Sequence, residues 1–221
     1  MSIDIFRKLL CKKSGEISNF LECNGRLCGK CRHDGYCNAS HLSEKQYAYI
    51  DADIYSSTGI VDFYAFVSKL LKTKTSTGNI CVGNNSVGSL SLSVTTGKVT
   101  VSNVTCDGNI TVGVSTGNAY LTDVICESVT SSGSTGNITL SNVISTGKIS
   151  IERSTGDVKF DSSDAAEIFV KTDTGDVTGS LLTDKVFIAQ TDTGNIDVPK
   201  TVTGGKCEIN TDTGDIEIRI G

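Results

Sequence analysis

The chain has 221 residues, 38% hydrophobic and 20% charged, a balance that supplies one good core and is ordinary for a soluble domain. Its net charge of −5 leaves no basic patch to supply the attraction that dominates nucleic-acid binding, so no nucleic-acid partner is expected. No membrane span is expected either: a membrane helix needs ~20 apolar residues, and the best candidate, Ile60 to Leu71, is broken by Asp62, Ser68 and Lys69.

The first segment, residues 1–47, reads as a short irregular Cys-rich leader. Met1 to Leu10 is mixed and charged, with no apolar stretch of the kind a signal peptide carries before Cys11. Five of the nine cysteines fall between Cys11 and Cys37. Cys23, Cys28, Cys31 and Cys37, with His33 and His41 nearby, form the most metal-like cluster, because thiolates and imidazoles at close spacing suit tetrahedral zinc. Cys28-Gly-Lys-Cys31 has the two-residue gap of a zinc knuckle. The alternatives are a disordered leader, or one carrying a disulfide.

From about Ala48 a repeat takes over and runs to Gly221. Its principal glycines are Gly59, Gly78, Gly97, Gly117, Gly136, Gly156, Gly175, Gly194 and Gly214, spaced by 19, 19, 20, 19, 20, 19, 19 and 20 residues. A period this regular predicts a solenoid. Two and four residues after the glycines stand Ile80/Val82, Val99/Val101, Ala119/Leu121, Ile138/Leu140, Val158/Phe160, Ile196/Val198 and Ile216/Ile218. Polar residues lie between them, which is the alternation of a strand with one face inward. A second series, seven and five residues before the glycines, comprises Leu90/Leu92, Ile110/Val112, Ile149/Ile151, Ile168/Val170, Phe187/Ala189 and Cys207/Ile209. A weaker third column lies at Val104, Val124, Val143 and Leu182, and Gly88, Gly108, Gly147 and Gly205 mark a second corner. The expected fold is therefore all-β, a β-solenoid with coils of 19–20 residues. At ~4.8 Å per coil the rod is roughly 40 Å long, and corner hydroxyls and amides stack into ladders along it. The single proline, Pro199, falls at an expected corner, where a missing N–H does least harm.

The motif itself is specific. Thr-Asp-Thr-Gly-Asp-Val at Thr172 to Val177, Thr-Asp-Thr-Gly-Asn-Ile at Thr191 to Ile196, Thr-Asp-Thr-Gly-Asp-Ile at Thr211 to Ile216 and the Ser-Thr-Gly forms upstream resemble the adhesin β-strand-repeat family. This bacterial domain family is of largely unknown function, and the likeness covers about three-quarters of the chain. The resemblance implies a solenoid like a right-handed β-helix, often displayed at the cell envelope. Members usually carry a hydrophobic membrane segment or a longer β-rich region ahead of the coils, where this chain has its Cys-rich leader.

Three features of the array invite chemistry. Cys106 and Cys126 precede successive repeat glycines by eleven and ten residues, so they are expected as neighbours on adjacent coils, close enough to pair in an oxidising compartment. Cys207 sits in an inward column and reads as a small buried hydrophobe. Asp173, Asp192 and Asp212 are expected to stack on one corner, where carboxylates repel unless water screens them or a cation such as calcium bridges them. The competing reading is that aspartates at solvated turns accept backbone hydrogen bonds.

Catalysis is not expected. Loops are minimal, the Ser and Thr residues are too periodic to be nucleophiles, and His33 and His41 both lie outside the array. The expectation is a non-enzymatic adhesin or envelope-associated display scaffold with no cofactor, presenting polar rows to a surface ligand, protein or glycan. The alternative is a self-assembling or regulatory envelope-stress protein. For that role the strand Asp215 to Ile220 is expected as an uncovered edge open to a second chain.

Overall fold

The computed structural model describes residues 20–23, 26–31, 37–38, 51–64 and 67–221, with side chains described at 58–62 and from 69 onward. Among the described residues there are strands and turns and no helix. The strands are β1 Phe20–Cys23, β2 Arg26–Cys31, β3 Cys37–Asn38, β4 Asp51–Tyr64, β5 Val67–Thr96, β6 Val99–Cys106, β7 Asn109–Thr116 and β8 Ala119–Cys126. They continue as β9 Ser128–Thr135, β10 Ile138–Thr155, β11 Val158–Thr174, β12 Val177–Leu181, β13 Lys185–Thr193, β14 Ile196–Asp197, β15 Gly205–Thr213 and β16 Ile216–Ile220. From β3 onward every pairing across coils is parallel, so the array is the expected all-β solenoid. The short β1 and β2 pair antiparallel with each other, and β3 lies parallel to Val61 and Asp62 of β4.

The inward columns follow the alternation of the sequence. Val99, Val101, Ala119, Leu121, Ile138, Leu140, Val158, Phe160, Ile216 and Ile218 are buried on one wall. Leu90, Leu92, Ile110, Val112, Ile149, Ile151, Ile168, Val170, Cys207 and Ile209 are buried on another, and Val104, Val124 and Val143 complete the interior. Each such aliphatic side chain contributes about 1.5–3 kcal/mol by leaving water. The core is thus one continuous aliphatic shaft.

Corner chemistry fixes the spacing of the coils. All nine repeat glycines have positive φ, between 118° and 152°. At Gly117 a Cβ would lie 1.7 Å from the carbonyl oxygen of Gly97, so only a residue without a side chain fits. From Gly117 onward the Asn or Asp after the glycine builds a hydrogen-bonded ladder. Oδ1 of Asn118, Asn137, Asp157, Asp176 and Asp215 accepts the backbone N–H of the equivalent residue on the next coil, at 2.7–3.1 Å. At the next corner Asn84, Asn103, Asp123, Asn142 and Ser162 take left-handed φ of 50–54°. There Asn103 Nδ2 donates to Asn84 Oδ1 at 2.6 Å, and Asn142 Nδ2 to Asp123 Oδ1 at 2.7 Å. Asn and Asp tolerate this conformation because their short polar side chains bond locally.

The coils do not all stack in chain order. β12 pairs with β16, and β16 with β14; β11 pairs with β15, and β15 with β13. The glycines therefore stack as Gly156, Gly175, Gly214 and Gly194, with the 205–221 coil inserted beneath the 185–197 coil. This corrects the expected open edge at Asp215 to Ile220 in part: Ile216 and Glu217 are paired on both sides, while Ile218 to Ile220 pair with β12 alone. At this end of the array β13 and β14 are paired on one side only. Their inward residues are correspondingly uncovered: Ile196 is 45% exposed, and Phe187, Ala189 and Val198 are half-buried. Leu182 also departs from its column, at 42% exposed. The Gly175 coil has Leu181 where other coils have the left-handed residue, and Leu181 takes the buried place.

Candidate functional site

Outward positions of the strands that follow the repeat glycines form rows in register. One row runs Thr100, Tyr120, Thr139, Lys159, Thr178 and Glu217; another runs Ser102, Thr122, Ser141 and Asp161. Parallel pairing places like positions side by side, so hydroxyls give way to charges toward the far end. There an open groove of about 600 Å³ lies between Lys159, Asp161, Thr178, Ser180, Glu217 and Arg219. Gly179 forms its floor. It occupies the column position that Phe160 fills on the coil below, and a Cβ there would meet the Phe160 carbonyl at 1.8 Å. Arg219 Nη2 donates to Glu217 Oε1 and Asp197 Oδ2, each at 2.9 Å, bridging two coils at the surface.

A second open groove, about 530 Å³, lies where the chain skips a layer. Asp164, Ser145, Thr183, Lys185, Thr203 and Gly204 contribute to its lining. Lys185 Nζ lies 2.5 Å from Asp164 Oδ1, both side chains being buried, and it also donates to Thr183 Oγ1. Asp164 Oδ1 accepts the backbone N–H of Ala165 at 2.7 Å as well. The ammonium reaches past Gly205, which stands beside Lys185 in the ladder and has no side chain to block it. The pair thus ties the outermost coil to a coil two layers below.

The expected site residues are placed as follows. Cys23, Cys28, Cys31 and Cys37 lie on β1, β2 and β3, with Cys31 opposite Cys37; their side chains, and His33 and His41, are outside the described residues. Asp173, Asp192 and Asp212 are all exposed on one corner, with Asp212 in the middle, because of the inverted coil order. The turn hydrogen bonds run instead through the aspartates after the glycines, Asp157, Asp176 and Asp215. Among the described residues, no three of His, Cys, Asp and Glu gather as a metal would require. Cys106 and Cys126 are buried free thiols on adjacent coils, one register step beyond the Thr105–Ile125 pair. Burial pushes the Cys126 thiol up to about 12, with Cys106 beside it adding to the shift, and burial likewise takes Cys207 up to about 12.

Two charged features were not singled out by sequence reasoning. The Asp164–Lys185 pair depends on the layer skip, which the repeat does not announce. Arg153 was visible as a charge in a column that otherwise holds Val, Gly or Thr, between Gly133 and Thr172. Its guanidinium is inside the shaft, donating to Ser131 Oγ at 2.8 Å and to the Val114 carbonyl at 3.4 Å, while Nε has no partner. Gly133 makes the room: a Cβ there would lie 1.8 Å from Arg153 Nη1.

Set beside known proteins, residues 104–221 match the family described as Toastrack DUF4097. No curated protein and no solved structure matches the chain. The matched segment covers more than half the chain, from the third column of the Gly97 coil to the inserted coil. The chain belongs to the Toastrack DUF4097 family.

Proposed function

We propose that the protein is a non-enzymatic binding and display scaffold of the adhesin type, working at the cell envelope. The reading rests on the rows of hydroxyls and charges held in register by the parallel ladder, from Thr100 to Glu217. A rigid rod repeats each weak polar contact at a fixed ~4.8 Å spacing, so an extended partner gains from many contacts at once. The partner class that suits such rows is a surface glycan or an extended protein segment. The test is binding of the purified chain to isolated cell-wall glycan, with a Lys159→Ala/Arg219→Ala variant alongside. Saturable binding weakened several-fold in the variant supports the proposal; equal binding by both chains, or none by either, removes it.

A second reading, self-assembly or envelope-stress regulation, is favoured by the one-sided strands β13 and β14. Val186, Ile188 and Ile196 are exposed there, beside backbone donors and acceptors unpaired within the array. Light scattering that shows a strict monomer at high concentration counts against it.

A further inference from the structure

We propose that the 205–221 coil is an exchangeable element through which two copies of this chain join, each lodging its coil in the other's slot. The slot lies between β11 and β12 on one side and β13 and β14 on the other. The chain lays down both walls before it supplies the coil that fills them. One wall is tied to the other without the coil's help: residues 182–184 connect them covalently, and the buried Asp164–Lys185 pair spans the gap. A slot between two existing strand edges offers hydrogen-bonding groups on both sides, so its occupant must be an extended strand of the same register.

The coil's own contacts reach both walls of that slot. Thr211 Oγ1 donates to the Gly175 carbonyl at 3.2 Å, Asp215 N–H donates to Asp176 Oδ1 at 2.8 Å, and Asp215 Oδ1 accepts Asn195 N–H at 2.7 Å. Cys207, Ile209, Ile216 and Ile218 fill the shaft between the walls. None of these contacts depends on which chain supplies the coil. The only covalent constraint is the seven-residue connection 198–204, which has no strand structure and contains Pro199. Exchange at such a connection is a low-cost route to a dimer, because every contact within the slot is kept. This inference is independent of the exposed β13 edge, which would join copies without exchanging anything.

The experiment uses the full chain, unfolded and refolded at low and at high micromolar concentration. Chains carrying Lys171→Cys are co-refolded with chains carrying Asn210→Cys, in a background with Cys11, Cys23, Cys28, Cys31, Cys37 and Cys81 changed to Ser. Residues 171 and 210 are ladder partners, so a short bismaleimide joins the two different chains only where the coil has crossed over. The expected result is a dimer fraction that rises several-fold with refolding concentration and contains the mixed cross-linked species. A dimer without that species, or a monomer at every concentration, overturns the proposal. If the cysteine variants misfold, unmodified light and heavy isotope-labelled chains serve. Exchanged dimers survive dilution and swap subunits only in denaturant, whereas dimers that mix freely in native buffer, or the absence of dimers, overturn it.

Discussion

At Gly117 one absent carbon determines how closely two coils approach. Gly117→Ala places a methyl against the Gly97 carbonyl at positive φ and is expected to cost about 2 kcal/mol or more, read from urea unfolding. Gly113→Ala is the control, because its nearest neighbours lie at 3.9 Å, and it is expected to stay within about 0.5 kcal/mol of the parent. Arg153 presents the opposite case, a cation in the shaft with no carboxylate at ion-pair distance among the described residues, its pKa lowered by burial. Replacing it together with its hydroxyl partner, as Arg153→Met/Ser131→Ala, is expected to leave stability unchanged or raise it by about 1 kcal/mol or more in thermal unfolding. The buried thiols yield a pH prediction. Cys126 and Cys207 have folded pKa values near 12 against an ordinary 9.0, so the native state holds their protons more tightly than the unfolded chain does. Their contribution is complete below pH 9 and is lost as pH rises toward 12. Urea midpoints compared at about pH 8 and about pH 10.5 should fall less in Cys126→Ala/Cys207→Ala than in the parent.

Among the elements, the Asp164–Lys185 tie carries the outermost coil. Asp164→Ala leaves the ammonium buried without its carboxylate, and a loss of about 3 kcal/mol is expected; Asp164→Leu/Lys185→Met should recover most of it. A double-mutant cycle with Asp164→Leu and Lys185→Met on urea midpoints checks the coupling, and a double-variant loss equal to the sum of the two single losses would show that the tie has no role. The strands and their inward faces were legible in the sequence because burial leaves a period of two, as at Val99/Val101 and Ile110/Val112. Coil order was not. Thr172-Asp-Thr-Gly, Thr191-Asp-Thr-Gly and Thr211-Asp-Thr-Gly present the same hydroxyl and backbone groups to their neighbours, so any order of these three coils satisfies the ladder. What distinguishes them is the connections 182–184 and 198–204, whose paths leave no periodic trace. The surface aspartates misled for a related reason. Asp173 and Asp176 flank the same glycine, and only the turn's geometry shows that the second carries the hydrogen bond to the next coil.

For the whole molecule, chain position and depth in the rod separate at the C-terminal coils. Amide exchange should reflect this: Cys207 to Thr213, in a strand paired on both sides, is expected to exchange more slowly than Phe187 to Thr193, paired on one side only. Mass-spectrometric exchange with the reverse ranking would contradict the pairing. The contact of each repeat glycine with the carbonyl of the coil below has a bearing on how such a rod changes over time. It acts as a ratchet tooth. A deletion of one residue throws every later tooth out of step, whereas gain or loss of a whole coil within the serially stacked part of the array leaves all teeth engaged. Length is therefore quantised. Reach can vary by about one strand spacing at a time, without redesign of the shaft.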